Sequence, residues 1–492
     1  MDVTGRLYRA DQVRELDRRA IEDCGIPGYT LMQRAGGAVF RVLRARWPEA
    51  SRVLVCCGGG NNGGDGYVVA RLAHEAGLEV RVIALKAPDQ LGGDARKAAD
   101  DWHAAGGTVE EWSGKLPAAD VVVDALLGTG LDREVRGDYA DAIAAMAAIG
   151  DSGAATIAVD VPSGINADTG AVMGCAVRAA ATASFIGRKR GLETGDAVDF
   201  RGTLLFDDLD VPESVHENLE SDARRLDARE TTGWAQRRPS THKGALGHVL
   251  VVGGDFNFPG ACLLAARAAL VAGSGLVSVA TRRAHAHSLA VGLPEAMWAD
   301  GEDGATLEAL IGRADVLALG PGLGASEWSE AVFTRVLAAG KSVVLDADGL
   351  NALARSAGVR ERGDWILTPH PGEAARLLGC SAADIQRDRF EAVRAIAARF
   401  DAVVVLKGAG SLVADPAGNT RVCPYGNPAM ATAGMGDVLT GIVASLAGQG
   451  MSLFDAACAG VVLHARAGDT AAAGRRSILA GELIDALPRV LP

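Results

Sequence analysis

The sequence predicts an α/β protein with two such domains in tandem, and three observations carry the prediction. Short apolar runs alternate with helical patterns along nearly the whole chain. Many of these runs end in a glycine-rich turn or an aspartate, as parallel strands do when they deliver ligand-binding groups to their carboxyl ends. At 492 residues the chain also exceeds the size at which one hydrophobic core keeps growing, so two domains of ordinary size are expected. After Val211 and Pro212 the composition turns polar and charged, through Glu213, His216, Glu217, Glu220, Asp222, Arg224 and Arg225. That shift predicts a first domain over 1–212, a linker over 213–235 and a second domain over 236–492.

In chain order, residues 8–45 read as helical, interrupted by Gly25-Ile-Pro-Gly28. Residues 52–57 form a buried strand, 58–66 a glycine loop and 67–76 a helix, the first unit of a nucleotide-binding α/β domain. Strands follow at 78–84, 121–127, 156–160, 181–186 and 203–206, with helices near 95–105 and 137–149. In the second half the strands are 247–252, 276–280, 315–319, 342–346, 365–368 and 402–407. Small residues over 260–272 make a helix that packs closely on its sheet.

Bulk properties exclude several classes. A net charge of −12 opposes the basic stripe that a nucleic-acid surface needs, and Arg188-Lys189-Arg190 is too short a run to reverse it. Eight cysteines without Cys-x-x-Cys spacing read as small buried hydrophobes in a reducing cytoplasm. No apolar run is long enough to span a bilayer, and no apolar stretch behind a basic start suggests secretion. His285-Ala-His287 is the only close histidine pair and lacks further ligand spacings.

The strand ends hold the chemistry. Asn61, Asn62, Gly63, Gly64 and Asp65 offer amide and carbonyl groups suited to an alkali cation or a polar ligand. Asp124, followed by Gly128-Thr129-Gly130, and Asp160, followed by Val161-Pro162-Ser163-Gly164, close apolar strands and would face the same crevice. Capping explains either aspartate alone but not both beside the asparagine pair. In the second domain His370 stands between Pro369 and Pro371, which restrict its backbone, and reads equally as a structural histidine. Lys407-Gly408-Ala409-Gly410-Ser411 is either a phosphate contact or an exposed strand terminus. Gly426 to Asp437 is a glycine-rich loop feeding a helix from Val438. Free N–H groups at such a helix start suit a phosphate or a developing anion, with Asp437 placed to take a proton from an attacking hydroxyl.

Taken together, Asn61 to Asp65, Val123-Asp124-Ala125 and Asp160 to Gly164 resemble the NAD(P)H-hydrate epimerase family, a Rossmann-like three-layer fold. Lys243-Gly244, Gly320 to Gly324, Thr368 to Glu373 and Asn427 to Asp437 resemble the ADP-dependent NAD(P)H-hydrate dehydratases, a ribokinase-like α/β fold. The resemblance covers nearly the whole chain in the order of the bacterial fused repair enzymes. It implies that Asn61, Asn62, Gly63, Gly64 and Asp65, with Gly128, Thr129, Gly130, Leu131, Asp132, Arg133 and Glu134, hold the hydrated nucleotide. Asn62, Asp124 and Ser163 would hold potassium, and Asp160 would contact the substrate and do acid–base work. In the second domain it implies substrate contacts at Ala261, Gly322, His370 and Asp437, with ADP and magnesium used at Lys407, Gly408, Ala409, Gly410, Ser411 and Gly436. Asp437 would be the base. Small-molecule partners (hydrated NADH, hydrated NADPH and ADP), a homo-oligomer, no nucleic acid and no membrane complete the expectation. Two positions depart from the family: Gly59 where Gly-Pro-Gly is commoner, and Ala433 where glycine is common, which matters if the backbone there needs positive φ. Two readings compete with this one. One is a ribokinase-like kinase for a small vitamin precursor; the other makes the first domain a non-catalytic binding module.

Overall fold

A computed structural model describes residues 5–231, 237–285, 289, 291–356 and 363–492. The chain divides into two compact units, Met1–Arg224 and Arg225–Pro492.

The first unit is built on a parallel seven-stranded sheet. Its strands are β2 (Arg52–Cys57), β3 (Glu79–Ala84), β4 (Val109–Glu111), β5 (Val121–Ala125), β6 (Ala155–Val159), β7 (Ala181–Phe185) and β9 (Thr203–Asp207). Their spatial order is β4-β3-β2-β5-β6-β7-β9. The central strands are apolar at nearly every position because both faces are covered. Val53, Val55 and Cys57 pack with α2 (Gly28–Arg46), α3 (Asn61–Glu75) and α4 (Gly93–Ala104). Leu54 and Cys56 face Ile143 and Met146 of α5 (Asp138–Asp151) on the other side, so a one-residue alternation makes three layers. The strand order reverses between β2 and β5, which opens a crevice at their carboxyl ends.

Several local expectations change. Helix α3 begins at Asn61, not near Tyr67, so the asparagines and glycines form its first turns. Those glycines serve close approach: a Cβ at Gly63 would stand 2.1 Å from the Gly58 carbonyl oxygen, and one at Gly64 would stand 2.6 Å from Met32 Cε. The stretch read as helical from residue 8 starts with a strand, β1 (Arg6–Tyr8), before α1 (Ala10–Arg18) and a π turn over Arg19–Asp23. Strand β1 pairs with β8 (Arg188–Lys189) and with β10 (Ala223–Arg225), and a short helix α6 (Ala197–Phe200) precedes β9. The segment expected as a linker is therefore structured where it is described. Val215 is buried, His216 bonds the Tyr8 hydroxyl at 3.2 Å, and the unit boundary falls inside the segment. Residues 232–235 lie outside the described residues.

The second unit carries β11 (His248–Val252), β12 (Leu276–Thr281), β13 (Met297–Asp300), β14 (Val316–Leu319), β15 (Ser342–Leu345), β16 (Trp365–Leu367) and β17 (Val403–Leu406). These run parallel in the order β13-β12-β11-β14-β15-β16-β17. Antiparallel β18 (Leu412–Ala414) and β19 (Thr420–Val422) follow. Its core joins strand residues such as Val249, Val251, Val279 and Ala318 to α7 (Pro259–Val271), α14 (Met435–Gly448) and α15 (Leu453–Ala471). Between α7 and α14 lie α8 (Gly304–Arg313), α9 (Glu327–Ala338), α10 (Ala347–Arg355), α11 (Pro371–Leu378), α12 (Ala382–Arg387) and α13 (Arg389–Phe400). Among the described residues no helix is long and apolar enough to cross a membrane.

Candidate active sites

In the first unit a cavity of about 710 Å³ opens where β2, β5 and β6 end, walled on one side by α1 and α2. Asn61, Asn62, Asp65, Gly128, Thr129, Gly130, Leu131, Asp132, Arg133 and Asp160 all line it. Gly63 and Gly64 do not, because they pack inward against backbone and Met32. Glu134 also stands outside the lining, its carboxylate paired with Arg136 at 2.8 Å. Asp124 stands outside the lining, fully buried, and accepts from Ser163 Oγ at 2.5 Å and Ser163 N at 2.7 Å. Asn62 Nδ2 donates to the Leu127 carbonyl at 3.1 Å, and Leu127 N donates to Ser163 Oγ at 2.8 Å. Burial pushes the Asp124 carboxyl up to about 6. Asn62, Asp124 and Ser163 are thus one oxygen-rich cluster.

Asp160 follows β6 with φ of 62°, a left-handed backbone that aspartate tolerates better than most residues. The turn points its carboxylate back at the sheet. Ser184 Oγ and Phe185 N donate to it at 3.1 Å each, and Lys189 Nζ pairs with it. Lys189 is 1 % exposed, and its ammonium also reaches the Phe185 carbonyl at 2.9 Å. The sequence reading missed Lys189, seeing only a short basic run, and missed Asp17, which α1 brings to the same cavity. Nothing in local spacing marks either one; strand β8 and helix α1 position them. Asp65 is held well above the usual carboxylate range by burial, then by Asp160 and Asp17.

In the second unit α14 starts at Met435, earlier than the expected Val438, with Gly434 as its N-cap. Met435, Gly436 and Asp437 are consequently its first turn, and their N–H groups have no carbonyl to meet within the helix. Gly434 carries the left-handed conformation, at φ 88°. Ala433 is not among the positive-φ residues and is exposed, so its methyl is accommodated. The loop before the helix is tied down at several points: Asn427 Nδ2 donates to Asp469 at 2.7 Å, Thr432 Oγ1 to the Ile478 carbonyl at 2.8 Å, and His464 bonds the Met435 carbonyl at 2.9 Å.

Behind Asp437 stands a buried charge cluster. Lys407 Nζ lies 2.6 Å from Asp346 and 3.7 Å from Glu373, and Thr440 Oγ1 donates to Asp346 at 2.8 Å. Burial first, then Asp346, with Asp348 and Glu373, push the Asp437 carboxyl up to about 7 against the opposing pull of Lys407. The Lys407 ammonium is committed to these carboxylates. What its segment presents outward is Gly408 and Ala409, both exposed, with Gly410 and Ser411 half-buried and Ser411 Oγ bonded to the Gly408 carbonyl at 3.0 Å. Gly436 lies against the same pair: a Cβ there would meet Lys407 Nζ at 3.3 Å and Asp346 Oδ2 at 3.4 Å. His370 caps α11, accepting from Gly372 N at 2.9 Å while its own N donates to Glu373 at 2.8 Å. Ala261 and Gly322 adjoin, since a Cβ on Gly322 would lie 3.1 Å from that of Ala261. Asp346 and Glu373 are the functional candidates here that strand-end motifs alone did not single out. His287 lies outside the described residues; His285 bonds Thr281 Oγ1 at 3.2 Å.

A switch-point crevice in one α/β unit, and in the other a helix start carrying a carboxyl that burial raises well above its usual range, define a nucleotide-handling enzyme with two separate centres. Comparison with known proteins makes the class particular. Residues 249–489 match the family described as NAD(P)H-hydrate dehydratase, and residues 28–191 match the YjeF-related protein N-terminus. The chain is 47 % identical over 489 residues to the bifunctional NAD(P)H-hydrate repair enzyme Nnr of Coxiella burnetii, covering 99 % of both chains. It is 42 % identical to that of Escherichia coli K12, covering 99 % of this chain and 94 % of the relative. Among solved structures it is similar to the ADP/ATP-dependent NAD(P)H-hydrate dehydratase of Bacillus subtilis co-crystallised with ATP and Mg2+. That likeness has a TM-score of 0.50 and 31 % identity, over 54 % of this chain and 96 % of the other. The chain belongs to the family of bifunctional NAD(P)H-hydrate repair enzymes.

Proposed function

We propose that the first unit interconverts the R and S hydrates of NADH and NADPH at its Asp160 cavity, and that the second dehydrates the S form at Asp437 with conversion of ADP to AMP and phosphate. The observation that carries the reading is Asp437 itself, a carboxyl raised to about 7 in the first turn of α14. A general base works best when its proton affinity sits near the operating pH. Asp437 takes the proton of the substrate hydroxyl, whose oxygen attacks the β-phosphorus of ADP. AMP leaves, and the N–H groups of the first turn of α14 stabilise the transferring phosphoryl group. Phosphate is then a usable leaving group, and its elimination restores the ring double bond. His370, Ala261 and Gly322 shape the substrate side, and residues 407–411 with Gly436 the nucleotide side.

Magnesium fits this site through nucleotide phosphates rather than a protein cage. Among the described residues no group of three or more His, Cys, Asp or Glu gathers to hold a metal, and magnesium commonly takes one or two carboxylates plus phosphate oxygens. Asp346 and Glu373 are already engaged by Lys407, so the nucleotide phosphates would hold most of the ion, which would supply charge neutralisation on them. Potassium fits the buried oxygen cluster of the first unit. Asp124 is buried without a basic partner in its hydrogen-bond set, beside the amide of Asn62, the hydroxyl of Ser163 and the Leu127 carbonyl. Such hard oxygen donors suit an alkali cation, which would neutralise the buried charge and hold the asparagine turn in place.

The test is incubation with mixed NADH-hydrate epimers, with and without ADP, following the return of NADH absorbance. Full recovery with ADP is expected. Recovery of one epimer only means that the first unit is a binding module, and no recovery favours a small-molecule kinase.

A further inference from the structure

Helix α1 contributes a charged residue to the first cavity that the family resemblance did not touch. The other acids of this helix and the following turn are spoken for: Asp11 pairs with Arg9 at 3.0 Å, Glu15 with Arg18 at 2.8 Å and with Arg19 at 2.9 Å, and Glu22 and Asp23 also meet Arg18. Asp17 has no hydrogen bond or ion pair among the described residues. It lies between Val13 and Ile21 on one helical stripe, and all of them line the cavity that holds Asp160, Asp65 and Lys189. Asp17, Asp65 and Asp160 therefore share this cavity with the buried Lys189 ammonium, which is already bonded to Asp160. The charged lining as a whole is five carboxylates against four cations, and a carboxylate such as Asp160 set beside the reacting carbon stabilises a cation forming there.

The chemistry of the substrate supplies that cation. Hydration of an enamine places the hydroxyl on the carbon next to nitrogen, so loss of water from that carbon leaves a ring iminium. We propose that Asp17 is a second acid–base residue of the epimerising centre, working with Asp160 from the opposite side of the hydroxyl-bearing carbon. The proposal rests on the reading of the first unit as an epimerase. Asp17 gives its proton to the hydroxyl oxygen; the C–O bond breaks, water departs, and the nitrogen lone pair closes the C=N bond. Water then adds to the other face of the iminium carbon, and its proton passes to the Asp160 carboxylate. The proton returns to Asp17 by exchange with water in the cavity, and the reverse reaction exchanges the roles. No oxidant, reductant or co-reactant other than water is consumed. Burial, reinforced by Asp160 and opposed by Lys189, pushes the Asp17 carboxyl up to about 6, which suits a group that must both give and take a proton. The charged groups facing it are Asp65 from α3, Asp160 after β6 and Lys189 of β8. Arg14 of α1 and Lys86, Asp94, Asp132 and Arg133 line the same cavity.

The experiment uses the full chain and purified R hydrate, read by conversion to the S form without ADP, in water enriched in oxygen-18. In the wild type, each inversion is expected to bring solvent oxygen into the product hydroxyl. Asp17→Asn is expected to lower epimerase kcat by about 10²-fold or more, with circular dichroism and ADP-dependent turnover of S hydrate unchanged. Asp17→Glu is expected to restore part of the rate. The wild-type rate should fall as pH rises past about 6, and the residual Asp17→Asn rate should not. Epimerisation without oxygen-18 uptake overturns the iminium route, and an Asp17→Asn variant within threefold of wild type with the same pH profile overturns the role of Asp17. A wild type that does not interconvert the epimers at all sinks the epimerase reading instead.

Discussion

Replacing Asp437 by Asn separates what this residue does for catalysis from what it costs the fold. The carboxyl rises from 3.8 to about 7, chiefly through burial and then through Asp346. Below pH 3.8 it is protonated whether the chain is folded or not, and it has no effect on stability. Between that pH and about 7 the unfolded chain releases the proton while the folded one keeps it. The native state is therefore progressively disfavoured, and the penalty is complete above about 7. Converted directly, the rise corresponds to about 4 kcal/mol, a ceiling because the side chain keeps some exposure and its surroundings relax. Asparagine keeps the shape without the charge. Asp437→Asn is expected to unfold in urea like the wild type at pH 4, and to be more stable at pH 8 by about 1–3 kcal/mol. The same variant loses ADP-dependent dehydration by about 10²-fold or more, while ADP binding by calorimetry stays near normal. Near-normal turnover, or a variant less stable than wild type at pH 8, would refute the assignment of a buried, neutral-range base.

Other expectations follow from the same geometry. Asp160→Ala removes the partner of buried Lys189 and should abolish R-to-S conversion while S hydrate is still dehydrated with ADP; retained epimerase activity would remove Asp160 from the chemistry. Exchanging potassium for a bulky organic cation should raise the epimerase KM for hydrate and leave the dehydratase KM unchanged, as read in paired assays. Gly434→Ala should impair dehydration and cost about 1–2 kcal/mol on urea unfolding, because a Cβ at φ 88° would also stand 2.6 Å from Leu264 Cδ1. Ala433→Gly should stay within about twofold in dehydratase kcat, since Ala433 needs no left-handed backbone.

What could be read from the chain alone was whatever is local. Apolar runs such as 121–125 and 403–406 are buried on both faces and so announce themselves as parallel strands. Their ends announce Asp124, Asp160 and Asp437, because ligand groups in such sheets gather at strand ends and helix starts. Glycine was the weak guide. At 63 and 64 it marks close helix packing rather than a loop, and pattern alone does not tell a turn from a near contact. Short strands escaped for a related reason: β1 and β8 are held by pairing to each other, not by their own propensity.

Period and composition are properties of neighbours along the chain, and they suffice for the two α/β units, the succession of their main strands and the residues at the strand ends. Which charges share a space depends instead on how distant elements pack. Asp17 joins Asp160 across more than half of the first unit, and Lys407 is locked onto Asp346 rather than left at a strand terminus. Proton affinity follows burial and the charges nearby, and those are set by the packing of elements distant in sequence, not by the spacing of residues along the chain.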